Sequence, residues 1–117
     1  MTASNPSKRR AVVLLEKAGK KQKAPIWENA SMMLSGEAKT RVEVNIGRIS
    51  RVAGDGGAVF VPGKVLGTGV IDRKVTVGAF AFSTGAKSKI EASGGSALTV
   101  EQFVKKFPKG SGVKLVR

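Results

Sequence analysis

Residues 61–69 read Val61-Pro62-Gly63-Lys64-Val65-Leu66-Gly67-Thr68-Gly69. They continue directly from the apolar residues Ala58, Val59 and Phe60. Proline fixes φ and removes a backbone donor. Glycine opens backbone angles closed to other residues and lets a second chain segment come close. One proline, three glycines and one lysine behind an apolar run therefore predict a shaped turn leaving a buried strand. Lys64 is expected at its tip, with Val65 and Leu66 anchoring it inward.

Gly63-Lys64 invites comparison with a phosphate-binding loop. That loop needs a glycine five residues before the second glycine and a Ser or Thr after the lysine. Those places hold Ala58 and Val65, so the pattern fails twice. The dinucleotide glycine pattern fails too: its third glycine falls on Val59 counted from Gly54 and on Asp72 counted from Gly67. The chain has no cysteine, histidine or tyrosine. Disulfides, thiolate metal sites and the commonest general base are thereby excluded. Asp55 and Asp72 sit in turn-like surroundings, which suits turn chemistry better than acid catalysis. The expectation is no enzyme, no catalytic residue, no metal, no cofactor and no small-molecule substrate.

Charge supplies the positive signal. Among 117 residues, 21 are Lys or Arg and 8 are Asp or Glu, a net +13. The excess is spread: residues 1–51 carry 11 basic and 4 acidic groups, and residues 52–117 carry 10 and 4. A fold with this imbalance repels itself unless it lies against a polyanion, most often nucleic acid. Zinc-finger spacing, a KH-type loop and an RNP aromatic pattern are all missing. Phosphate contacts on folded RNA or duplex, rather than base stacking, are therefore expected. No apolar run approaches the roughly 20 residues of a membrane helix, and residues 1–6 lack the apolar stretch of a secretion signal. A soluble cytoplasmic chain with no membrane partner is the corresponding expectation.

Outward from the opening stretch, the pattern is that of one α/β domain over residues 1–117. Residues 1–5 are expected to be flexible, 6–36 helical, and 40–117 a core of alternating short strands and helices. Pro6 opens a helix with its apolar stripe on Ala11, Leu14, Leu15 and Ala18, ended by Gly19. Pro25 opens a second, with Ile26, Ala30 and Met33 as its stripe and Trp27 and Leu34 flanking it in the core. Residues 40–45 alternate as a half-buried strand, and Asn45 is placed to cap a short helix that presents Arg48 and Arg51 together. Residues 75–82 read as the most buried strand, with Phe80 and Phe82 sharing a side. Ser83 or Thr84 caps the next helix. Thr99 and Gln102 have capping-box spacing, and Leu98 and Phe103 have hydrophobic-staple spacing. Residues 113–116 form a last strand. Such alternation favours layered α/β packing with parallel pairing.

The segments Val44-Asn45-Ile46-Gly47-Arg48-Ile49, residues 61–69, residues 75–83 and Ala92-Ser93-Gly94-Gly95 resemble one family. It is the archaeal and eukaryotic large-subunit ribosomal proteins called "eighteen-e", in one superfamily with bacterial large-subunit protein fifteen. The resemblance runs from about Pro6 to Arg117, and the short chain is similar to the archaeal form. It implies an irregular superhelix of strand-strand-helix turns and a structural role on ribosomal RNA beside other ribosomal proteins. Gly63, Lys64, Gly67 and Gly69 are the residues that match the family's pattern. The expected RNA-binding set is those four with Lys8, Arg9, Arg10, Lys20, Lys21, Lys23, Arg41, Arg48 and Arg51. A chromosome-associated DNA-binding protein and a phosphate-binding enzyme are the alternatives.

Overall fold

The structure is a computed structural model that describes residues 6–36, 42–54 and 56–117. Five helices and five strands follow one another as α1 (Pro6–Gln22), α2 (Pro25–Leu34), β1 (Glu43–Asn45), α3 (Ile46–Ala53), β2 (Ala58–Leu66), β3 (Thr76–Phe82), α4 (Thr84–Ala92), β4 (Ser96–Leu98), α5 (Val100–Lys106) and β5 (Val113–Leu115). The strands form one sheet in the order β1-β2-β3-β4, with β5 also on β2. Every pairing described is parallel. Parallel sheets bury both faces under helices, and here each face has its own core. Val59, Val61, Val65, Val77 and Ala79 pack with Ile46, Ile49, Ala86 and Ile90 of α3 and α4. Phe60 packs with Ala11, Leu15, Trp27, Ala30, Leu34, Val100 and Phe103 of α1, α2 and α5. The α/β class with a helical N-terminal part is thus as expected.

Pro62 does not end a strand. β2 runs on through the proline to Leu66 as the sheet's centre. Its register against β3 advances from Val61↔Ala79 to Lys64↔Ala81, so Pro62 and Gly63 stand opposite Phe80 alone, two residues against one, which is a bulge. β3 covers one edge of β2. The other edge is divided, β5 pairing with residues 58–60 and β1 with residues 64–66. Pro62 falls in the interval between those two partners, where its missing N–H leaves no ladder bond unmade. The turn expected at 62–64 is instead a kink inside a strand, and the chain reverses after it, beyond Leu66. Leu66 is half-buried while Val65 is fully buried, so Val65 alone is the inward anchor.

Five further expectations are corrected. α1 does not end at Gly19; it continues to Gln22. Gly19 faces α2, and a Cβ there would stand 2.9 Å from the Glu28 nitrogen, so the glycine serves close helix packing. The terminus is made by Lys23 at φ 52, with Ala24 N–H donating to Gly19 O at 2.8 Å and Lys23 N–H to Lys20 O at 3.4 Å, the paired bonds of a Schellman end. The buried stripe of α2 is Trp27, Ala30, Ser31 and Leu34, rotated from the expected one because Trp27 is drawn into the aromatic core. Asn45 occupies the N-cap of α3 without a side-chain cap bond. β2, with partners on both edges, is more buried than β3, and Phe80 and Phe82 go to opposite cores. The strand β4 had no periodic signal; three residues with a glycine before and a cap after are too short to alternate legibly.

Candidate nucleic-acid interface

Lys64 stands exposed in the kinked part of β2. Its N–H donates to Val42 O at 3.0 Å. Gly63 beside it is buried, and a Cβ there would collide with the Val42 carbonyl, so only glycine lets β1 come this close. Lys8 reaches the same region from α1, its ammonium donating to Gly36 O at 3.1 Å. Together they flank a groove of about 270 Å³ whose floor includes Pro62, Phe80 and Leu34.

A second groove of about 330 Å³ opens where β1 and β2 end. Arg48 and Arg51 enter it from α3, and Thr68 and Gly69 close it from the loop after β2. Gly69 has φ 101, and a Cβ on it would lie 2.9 Å from Gly47 Cα. Both conditions admit glycine alone. Gly47 N–H in turn donates to Thr68 O at 3.3 Å, which seats the loop on the first turn of α3. Arg48 Nη1 donates to the Arg117 main-chain oxygen at 2.5 Å. Glu43 lies between the grooves and lines both. The carboxyl ends of parallel strands are where open α/β sheets present ligand sites.

The remaining expected cations lie along α1. Arg9 and Arg10 are exposed near its start. Lys20, Lys21 and Lys23 are exposed at or just beyond its other end, about 18–22 Å from Lys8 at about 1.5 Å per residue. Lys20 pairs with Glu16 at 3.7 Å, an exposed i,i+4 contact worth little. Lys20 and Lys21 also sit in the last turn, where the helix dipole favours them. Arg41 lies outside the described residues. Gly67 packs on the first turn of α4, 3.0 Å from the Ala86 nitrogen measured from an added Cβ. The structure therefore gathers Lys8, Gly63 and Lys64 at one groove and Arg48, Arg51 and Gly69 at the next. The lysines that end α1 stand apart.

Sequence reading passed over Lys89 and Lys114. Lys114 donates to Val52 O at 2.8 Å near the end of α3. Lys89 donates to Gly67 O at 2.8 Å and Gly69 O at 3.2 Å. Neither had a local signal, since both partners are more than a dozen residues away in the chain. Trp27 is no stacking platform. It is fully buried, edge-on to Phe60 with centroids 5.3 Å apart, and its indole N–H donates to Pro108 O at 2.9 Å. Among the described residues, no helix is long and apolar enough to cross a membrane, and no three acidic or thiol groups gather as a metal site.

Comparison with known proteins finds relatives along almost the whole chain. The family described as ribosomal proteins 50S-L15 and 50S-L18e, together with their 60S counterpart, matches residues 30–98. The chain is 43% identical over 114 residues to the large ribosomal subunit protein eL18 of Methanococcus maripaludis, covering 97% of this chain and 95% of that one. It is 40% identical over 114 residues to the protein of the same name from Methanoregula boonei, covering 97% and 94%. With that of Archaeoglobus fulgidus it shares 39% over 116 residues, 99% of each chain.

Proposed function

The chain belongs to the ribosomal protein family that unites 50S-L15 and 50S-L18e with their 60S counterpart, and from that membership we propose that it is a structural constituent of the large ribosomal subunit that scaffolds ribosomal RNA through its basic surface. The similarity to large-subunit proteins over almost the whole chain carries this reading. The charge supports it: +13 repels itself in the free chain and is natural against RNA phosphates.

Phosphates are neutralised at three places. Lys8 and Lys64 serve the groove over the kinked strand, with Arg41 near it in sequence. Arg48 and Arg51 serve the groove at the strand ends. Arg9, Arg10, Lys20, Lys21 and Lys23 line α1. Gly63, Gly67 and Gly69 contribute shape, holding backbone against backbone so that the cations project from a rigid frame. Contacts of this kind position RNA without reading its sequence. Neighbouring ribosomal proteins complete the setting, in the large subunit of the cytoplasm. The protein acts as a scaffold and not as an enzyme.

Gradient sedimentation of cell lysate tests the assignment. Co-migration with large subunits that survives a high-salt wash is expected; release by the wash would reduce the protein to an adventitious cation. With purified protein and large-subunit RNA, engagement of six to ten phosphates predicts affinity falling roughly 10³–10⁵-fold between 50 and 200 mM salt, on duplex-DNA calibration. Binding indifferent to salt would refute the basic-surface reading.

A further inference from the structure

The loop that closes the strand-end groove has little apolar anchorage: Thr68, Gly69 and Val70 are exposed, Val70 at 74%. It is held by three successive carbonyls. That of Thr68 accepts from Gly47 N–H of α3, while those of Gly67 and Gly69, on either side, both accept from the Lys89 ammonium of α4. The loop is thus strapped between two helices by one lysine and one amide. The ammonium is a compact charge with three donors, enough to serve both carbonyls at once.

We propose that Lys89 is a positioning residue of the RNA interface rather than a phosphate ligand: it clamps residues 67–69 against α3 and so sets the groove into which Arg48 and Arg51 project. This rests on the RNA-scaffold reading above. The contrast is Lys87, exposed on the same helix two residues earlier.

Salt titrations of binding to large-subunit ribosomal RNA, with the full chain, separate the two roles. A phosphate contact contributes about 0.7–0.9 to the slope of log affinity against log salt. Lys89→Met is expected to leave the slope at the wild-type value, lower affinity roughly tenfold as befits lost charge-assisted hydrogen bonds, and speed exchange of the Gly47 amide, whose Thr68 partner is released. Its effect on affinity should shrink in an Arg51→Ala background and vanish when Arg48→Ala is added, because all three act through one groove. Lys87→Met should leave Gly47 exchange unchanged. A slope reduced by a full contact in Lys89→Met, additivity with Arg51→Ala, or unchanged Gly47 protection would overturn the proposal. So would a general fall in melting temperature with all amides exposed, which would make Lys89 a support of the whole fold. Wild-type binding that ignores salt would instead sink the RNA reading, and this inference with it.

Discussion

At the scale of single residues, neighbours 63 and 64 divide the labour of the kinked strand. Gly63 is buried with the Val42 carbonyl where its Cβ would be, and Lys64 beside it is exposed. Gly63→Ala should cost about 1–3 kcal/mol, as overpacking of a tight contact does. Lys64→Glu should stay within about 0.5 kcal/mol of wild type, as exposed substitutions do, yet weaken RNA binding. Urea unfolding of both variants, with RNA affinity measured beside it, checks the pair; equal destabilisation would make Lys64 a structural residue. The glycine and the lysine were both visible in the sequence. What the glycine is for was not, because Val42 lies 21 positions away. The same holds for Gly19, which reads locally as a helix stop and serves instead to admit Glu28.

At the scale of elements, local chemistry predicted best where its partners are local. Ser83 accepts from Ala86 N–H at 3.1 Å as its position suggested. Thr99 accepts from Gln102 N–H at 3.2 Å while the Gln102 side chain accepts from Thr99 N–H at 3.0 Å, a complete capping box. Thr99→Ala should therefore cost about 1 kcal/mol, seen as a lower urea midpoint with an unchanged slope. Asn45 shows the limit of the same reasoning: it holds the cap position but makes no cap bond. There the amide of Gly47 is already taken by Thr68, a partner supplied by tertiary packing.

At the scale of the molecule, Phe60 and Trp27 join the two-helix start of the chain to the sheet. Their rings meet edge-on, and Phe103 completes the cluster at 5.4 Å from Phe60 and 5.9 Å from Trp27. Phe60→Ala should cost about 3–5 kcal/mol. Trp27 is the sole tryptophan, so its fluorescence reports the second core while far-UV circular dichroism reports every helix. Coincident transitions by the two probes are expected if the chain unfolds as one unit; separate transitions would divide the helical start from the sheet. By itself the sequence determined the net charge, and it determined the caps at Ser83 and Thr99 and the failure of every nucleotide or metal motif, because these last depend on residues within a turn or two of one another. It also carried the family likeness, which lies in the order of short motifs. The tertiary structure alone decided that β2 runs through Pro62, that β1 and β5 share one of its edges, that residues 67–69 are strapped between α3 and α4, and which basic residues face a common groove. Parallel pairing joins segments far apart in the chain, and no local pattern records which distant backbone will supply the missing hydrogen bond.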